Sequence, residues 1–391
     1  MKKRIYLDYA ASTPVLKEVD AVMKSVARGK IGNPGSIHSF GQEAMAVIDK
    51  SREDIADAIG ADFSEIVFTS SATEANNLAI RGVVKKAASK NGKNLNIISS
   101  SIEHESILDT FNDLKKDGIN AFHAPVSKNG IVDLKQIKKL INSETALVSV
   151  MYANNEIGVI EPISEIAKLI KDFRIANRSK YPLFHVDAVQ AFQFLNCDVE
   201  FLGVDLMTIS SHKIYGPKGI AALYIKELGK GSVIEPILTG GGQEFGMRSG
   251  TESPALIAGF AKAVKIAVRD RKRQFQISKG LRDHLWKKIK EGFPKSKING
   301  SLTNRLPNNL NIYLAGRNAE DLVIGLDLAG IAVSSGSACR ARSLEPSYVI
   351  EALGYPKERA MSSLRFSLGR QSTIREIDMV IKQFLKLINK K

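Results

Sequence analysis

Cysteine is nearly absent from this chain: Cys197 and Cys339 are the only two among 391 residues. Two thiols cannot build a disulfide framework, nor supply unaided the four ligands of a structural zinc site, so chemistry at cysteine falls to a single reactive thiol. Long apolar runs are missing as well. No stretch reaches the roughly 18 uninterrupted apolar residues of a membrane-crossing helix, and the opening MKKRIYLDYA meets Asp8 before an apolar signal region could form. A cytoplasmic protein is expected. There is no internal repeat, low-complexity tract or Pro-rich linker, so domains should pack closely and favour a site between them.

What is present is ordinary for a globular chain, with 44% hydrophobic and 25% charged residues, and its length exceeds what one small core requires. The formal charge of +15 would suit nucleic acid, an anionic membrane or an acidic protein. The cations are dispersed, however. The denser groups, Arg269, Arg271, Lys272 and Arg273, then Lys287, Lys288 and Lys290, fall on helical patterns where a solvated face explains them. No nucleic-acid motif accompanies them, so neither nucleic acid nor membrane is expected as a partner.

Between about 60 and 230, short β-rich runs alternate with helical patterns: IVFT at 66–69, NIISS at 96–100, ALVSVM at 146–151, LFHVD at 183–187 and DLMTIS at 205–210. That alternation predicts an α/β sheet covered by helices on both faces, with a site at the strand ends. Residues 252–291 predict a long helix through Leu256, Ile257, Phe260, Ala261, Val264 and Val268, leading to a second domain. A final helix keeps Ile374, Ile377, Ile381, Phe384, Leu385 and Ile388 on one face and starts at a Thr373–Glu376 capping box. The expected division is 15–255 for a large α/β domain, and 1–14 with 256–391 for a small α+β domain.

The most informative run is SSHKIYGPKG at 210–219. A lysine beside a Gly-Pro turn is ordinarily a solvated cation, but Ser210, Ser211 and His212 precede Lys213 with two hydroxyls and an imidazole. Such a set can hold a phosphate while Lys213 forms an imine with an aldehyde on the same molecule. Pyridoxal phosphate (PLP) has that form, and it needs a carboxylate at its pyridinium nitrogen to act as an electron sink. Asp187 in HVDAVQ ends a predicted strand and offers one, although a helix cap or turn is the commoner use. Gln190, three residues on, could contact the ring's phenolic oxygen. SSATEANN at 70–77 opens a helix whose amides, Thr73 and dipole suit a phosphate; an ordinary capped helix is the other reading.

His104 in SIEHESI lies past another predicted strand, placed to stack on a ring or shuttle protons, where core and capping histidines are common. Asn154 and Asn155 in YANNEIG add side-chain amides at a further strand end, or form a turn. Cys339 sits in SSGSACRARSLEPS with Arg340 and Arg342 beside it. Free cysteines are normally buried, but small neighbours and cations point to an accessible loop whose thiolate is stabilised by charge. Cys197, in LNCDVEF, reads as a core thiol.

In this order and spacing the segments resemble the cysteine desulfurases of the NifS and IscS type, class V aminotransferases of the PLP-dependent fold type I, which is aspartate aminotransferase-like. The resemblance runs from YLDYAASTP at 6–14 to RFSLGR at 365–370. It implies a large, mainly parallel seven-stranded sheet domain and a smaller α+β domain carrying the catalytic cysteine loop. It makes Lys213 the Schiff-base lysine, Asp187 the pyridinium partner, His104 the residue over the ring and Cys339 the sulfur acceptor. Ala72, Thr73, Ser210, Ser211 and His212 fall on the phosphate side, and Asn155 and Gln190 near the ring oxygen. Arg365 matches the arginine that clamps the substrate carboxylate, with Asn155 beside the substrate. Thr251 in GMRSGT matches the residue that reaches the phosphate of a neighbouring subunit, which implies a homodimer with shared sites.

The reaction so implied removes sulfur from L-cysteine, giving L-alanine and a Cys339 persulfide for iron–sulfur cluster assembly, tRNA thiolation or another acceptor protein. No intrinsic metal is implied, although Cys339 could ligate a transferred iron–sulfur cluster. The segment from Ala338 to Tyr348 matches the branch with an extended cysteine loop rather than the SufS-like one.

Four departures stand out. Ser71 replaces a usual glycine, which should alter the phosphate loop; Phe245 replaces a common arginine and its ionic contact. Arg340 and Arg342 make the loop more basic. The chain ends at Lys391, short of the tail with which IscS-type proteins engage their scaffold, which counts against that partner. The alternatives are a selenocysteine lyase or another class V PLP enzyme, and, in a different class, a sulfur-trafficking protein that binds a scaffold.

Overall fold

The computed structural model describes residues 4–91, 94–336 and 346–389. The chain enters through β1 (Ile5–Tyr6) and two helices, α1 (Lys17–Gly29) and α2 (Ser39–Ile59). Strands and helices then alternate: β2 (Ile66–Thr69), α3 (Ala72–Asn91), β3 (Asn96–Ser100), α4 (Glu105–Lys116), β4 (Asn120–Ala124), α5 (Leu134–Leu140) and β5 (Thr145–Met151). They continue through α6 (Ile163–Asn177), β6 (Leu183–Asp187), α7 (Val199–Leu202), β7 (Leu206–Ser210) and β8 (Ala221–Ile225).

These seven strands form one sheet in the order β2-β8-β7-β6-β5-β3-β4. Only β8 runs against its neighbours; the other pairings are parallel, as the sequence predicts. The run-like composition of the inner strands has a direct cause: β2, β3, β5, β6 and β7 are buried at every position because helices cover both faces. Alternate residues serve opposite faces. Ile97, Leu147 and Leu183 join one apolar core, while Ile98, Val148 and Phe184 join the other.

The 39-residue helix α8 (Pro254–Gly292) opens with proline in its first turn, where a missing N–H is harmless. At about 1.5 Å per residue it spans roughly 58 Å. Its first half packs Ile257, Phe260, Ala261 and Val264 against the large sheet's core, and its second half sends Leu285 and Ile289 into another. Val268, expected on the apolar face, is partly exposed.

Beyond α8 come β9 (Lys297–Ile298), β10 (Asn309–Tyr313), α9 (Ala319–Leu328), β11 (Ile331–Ala332), α10 (Tyr348–Ala352), α11 (Lys357–Met361), β12 (Ser363–Ser367) and α12 (Ile374–Ile388). Strands β12-β10-β9 make an antiparallel sheet, and β11 pairs in parallel with β1. The N-terminal arm is thereby joined to the last third of the chain: Ile5 and Leu7 share a core with Leu310, Phe366, Ile377 and Phe384. The Thr373–Glu376 capping box is present at the start of α12. Among the described residues, no helix is long and apolar enough to cross a membrane.

Candidate active site

The parallel strands β2, β3, β5, β6 and β7 point the same way, so the residues that follow them meet along one edge of the sheet. A cavity of about 210 Å³ opens there. Its walls include Ala72, Thr73, His104, Asn155, Asp187, Gln190, His212, Lys213 and Arg365, nine residues expected at the site from sequence. Ala10, Ala11, Ser71, Asn76, Ser106 and Met151 also line it.

Lys213 ends a short 3₁₀ turn that follows β7. Its Nζ donates to the carbonyls of Ala10 at 2.7 Å and Ala11 at 2.8 Å, on the N-terminal arm. Gln190 Nε2 donates to the same Ala10 carbonyl at 3.0 Å. The turn is tight because Tyr215 takes a left-handed φ of 68° and a side chain at Gly216 would meet Ser211 Oγ at 2.1 Å.

Asp187 is braced from two sides. Its Oδ1 accepts from the Val189 N–H at 3.0 Å and its Oδ2 from Asn76 Nδ2 at 3.0 Å. His104 is the N-cap of α4, with Nδ1 accepting from the Ser106 N–H at 3.1 Å. A backbone N–H only donates, so in the neutral ring Nε2 carries the proton.

On the expected phosphate side, Ser71 Oγ accepts from the Glu74 N–H at 3.2 Å, so the serine in place of a usual glycine caps the first turn of α3. Burial, reinforced by the positive charges of Lys213 and Lys218, pushes His212 down to about 4. It is a neutral donor or acceptor at pH 7, with Nδ1 3.3 Å from Ser12 Oγ. Ser210 lines an adjoining cavity of about 300 Å³ together with Ser12, Ser70, Ser71, His212 and Lys218.

Besides Ser210, two expected residues stand apart from the Lys213 cavity. Ser211 is fully buried and its hydroxyl points toward Gly216, lining neither cavity. Thr251 is exposed and borders a third cavity, of about 150 Å³, with Ser70, Gly219 and Arg248.

Arg365 reaches the cavity from β12, is 1% exposed, and donates from Nη2 to Asp8 Oδ1 at 2.7 Å and from Nη1 to the Asn155 carbonyl at 2.9 Å. Arg365 Nε and Asn155 Oδ1 are buried without a hydrogen-bond partner among the described residues. Cys339, Arg340 and Arg342 lie outside the described residues. The flanks of their segment are described, and both are tied to this site. Ser334 pairs its backbone with that of Arg365, and Ser347 Oγ donates to Glu156 Oε2 at 2.5 Å. Tyr348 Oη donates to the Glu103 carbonyl, next to His104, at 2.5 Å. A side chain on Gly336 would lie 3.7 Å from Ser347 Cβ, so the two flanks stand together.

Sequence reasoning assigned no role to Asn76, Ser106, Asp8 or Glu103. Asn76 follows Ala72 by one helical turn within SSATEANN, and that spacing was its only signal. Glu103 is fully buried, accepting from Ser100 Oγ at 2.6 Å and the Met151 N–H at 2.9 Å; burial raises its carboxyl well above the usual range. Phe245, standing for an arginine, lays its ring 4.9 Å from the guanidinium of Arg52, which makes a buried fork to Glu244 at 2.7 and 2.8 Å.

A lysine, a braced aspartate and a capping histidine thus meet in one strand-end cavity. The aminotransferase class-V family model matches residues 5–380, and the chain belongs to that family. Within it, the cysteine desulfurase IscS of Dictyoglomus turgidum is 44% identical over 390 residues, covering 100% of this chain and 96% of that one. A solved NifS-like protein superposes with a TM-score of 0.90 at 34% identity, covering 99% of each chain. A structure titled SspA in complex with cysteine does so at 0.80 and 34% identity, covering 94% of this chain and 99% of that one. The resemblance to cysteine desulfurases read from the sequence is borne out.

Proposed function

We propose that this chain is a PLP-dependent cysteine desulfurase, moving the sulfur of L-cysteine onto Cys339 and releasing L-alanine. The observation that carries the reading is the convergence of Lys213, Asp187, His104 and Arg365 on one cavity to which both flanks of the Cys339 segment are tied.

The donor set fits pyridoxal phosphate. Asn155 Oδ1 is buried in the wall without a partner among the described residues, Asp187 offers a braced carboxylate, and Ala72 and Thr73 bring the first turn of a 20-residue helix to the cavity. Lys213 is the amine that would join the cofactor, Asp187 would hold its ring proton, and Thr73, His212 and the α3 amides would hold its phosphate. When bound, the cofactor supplies an electron sink at the substrate's α-carbon.

Arg365 receives the substrate carboxylate through parallel N–H groups. Lys213 would move the α-proton through its amine, and His104 would exchange protons through Nε2. Cys339 attacks the substrate sulfur as a thiolate, favoured by its sequence neighbours Arg340 and Arg342. A bond forms between the two sulfurs and the substrate C–S bond breaks, its electron pair staying with carbon. Carbon takes a proton and leaves as alanine, and sulfur remains as a persulfide. No external oxidant enters.

The same reading makes the enzyme a homodimer in which Thr251 serves the partner's phosphate site. Ile31, Ile37 and Phe40 are 75%, 95% and 57% exposed, apolar surface suited to a second copy. The β1–β11 pairing supports a small domain of 1–14 with 256–391, although the first half of α8 packs in the large sheet's core, so the small domain's own core takes only the second half of that helix. A reactive thiol suits the reducing cytosol, and the persulfide goes on to an iron–sulfur scaffold or another acceptor protein.

The test uses purified protein with its cofactor and L-cysteine. Alanine should form, and Cys339→Ser should abolish turnover while the cofactor's absorption band persists. Unchanged turnover in that variant removes Cys339 from the mechanism.

A further inference from the structure

Asn76 is fully buried at the start of α3, and its amide joins two parts of the cavity wall that lie far apart in sequence. One Nδ2 hydrogen goes to Asp187 Oδ2 at 3.0 Å and the other to Ser106 Oγ at 2.9 Å. Since the Ser106 oxygen accepts there, its hydrogen turns to His104 Nδ1, 2.9 Å away. The donors run in one direction, from Asn76 to the carboxylate on one side and through Ser106 to the imidazole on the other.

Asn76 Oδ1 is buried with no hydrogen-bond partner among the described residues. Turning the amide over would set that oxygen against the Asp187 carboxylate and take a donor from Ser106. The amide therefore keeps the orientation that leaves its own oxygen unmatched, the reverse of what a merely space-filling asparagine would do.

We infer that Asn76 is a positioning residue that links Asp187 to His104, so that one amide sets both the acceptor strength of the carboxylate and the hydrogen bonding of the histidine ring. With Asn76 in place, Asp187 shares its lone pairs with two donors and draws less strongly on a ring proton. Without it, Oδ2 loses a donor and Ser106 loses the contact that aims its hydroxyl at His104. The inference rests on the reading of Asp187 and His104 as cofactor residues. The other titratable groups nearby, Lys213, His212 and Glu103, stay constant across the variants below.

Two readouts test it. The first is the pH titration of the bound cofactor's absorption band. The second is the ¹⁵N signal of His104 Nδ1 in histidine-labelled protein, assigned with His104→Gln and recorded with and without cofactor. Asn76→Ala should move the absorption midpoint upward by about half a pH unit or more, because a carboxylate with one donor fewer leaves less positive charge on the ring. It should also move the His104 signal as far as Ser106→Ala does. Ser106→Ala should leave the midpoint in place, and Ser106→Thr should restore the His104 signal.

An Asn76→Ala protein whose His104 signal matches wild type overturns the link, as does one whose midpoint is unmoved. If Asn76→Ala does not fold, Asn76→Leu keeps much of the volume, lacks the amide donors, adds no charge beside Asp187 and is read the same way. Failure of the functional reading looks different: wild type would show no cofactor band at all, while the His104 comparison would still report on the link.

Discussion

The Arg365 guanidinium donates from Nη2 to Oδ1 of Asp8 at 2.7 Å, joining residues 357 apart in sequence and fixing the orientation of the fork that faces the cavity. Its other anchor is the Asn155 carbonyl at 2.9 Å. Removing the ionic anchor by Asp8→Ala should loosen the fork without touching the reacting atoms. A hydrogen bond to a charged group contributes about 1.5–3 kcal/mol, so a roughly tenfold or greater rise in KM for L-cysteine is expected, with kcat little changed. Arg365→Lys, which cannot form the bidentate contact, should raise KM further. Steady-state alanine production checks both, and a fall in kcat at constant KM would count against this account.

The Tyr348 hydroxyl donates to the Glu103 carbonyl and Ser347 to the Glu156 carboxylate, fastening the chain where it returns from the Cys339 segment. Tyr348→Phe removes one fastening and nothing from the cofactor's side of the cavity. With a net hydrogen-bond contribution of about 1 kcal/mol, sulfur transfer should slow about fivefold. Single-turnover alanine formation should show it, while the absorption band of the bound cofactor stays as in wild type.

Much of this site was legible because its residues follow inner strands. Lys213, Asp187 and His104 each come just after an apolar run, and those runs are conspicuous because both faces of the sheet are covered. The edge strand β4 has no such signature, since NAFHA is mostly exposed. Residues that act through others escaped. Asp8 and Asn76 owe their roles to partners 357 and 111 positions away, a relation no local pattern encodes. Ser211 shows the opposite failure. Adjacent to His212 and Lys213, it was grouped with them, but the 3₁₀ turn carries it inward against Gly216.

Phe245 presents an aromatic face to a buried guanidinium. Arg52 lies between the rings of Phe68 at 4.8 Å, Phe245 at 4.9 Å and Phe63 at 5.6 Å, and forks to Glu244, all but fully buried. Glu244→Ala would leave a buried guanidinium without its counter-charge, which costs about 3–5 kcal/mol. Phe245→Arg would set a second cation beside the first and remove a contact contributing about 1 kcal/mol, so it too should lower the melting temperature, though less. Thermal unfolding of the two variants orders the effects, and a more stable Phe245→Arg protein would refute the aromatic role.

Glu161 is 2% exposed, and among described groups only the Val132 N–H, at 2.9 Å from Oε2, is a hydrogen-bond donor to its carboxyl. Burial pushes it up to about 8, with that hydrogen bond pulling weakly the other way. The folded chain thus keeps a proton that the unfolded chain releases near the ordinary value of about 4.3. A raised folded value means that the stabilisation is complete below the unfolded value and is lost as pH climbs through the interval up to about 8. Over that interval the loss is on the order of a few kcal/mol. Glu161→Gln keeps the shape and an acceptor for Val132 but cannot ionise. Its stability should therefore fall less between about pH 5 and 8 than that of wild type, as read by denaturant unfolding across the range. Parallel pH profiles for the two proteins would mean that the carboxyl finds a partner or water that holds it ionised in the fold.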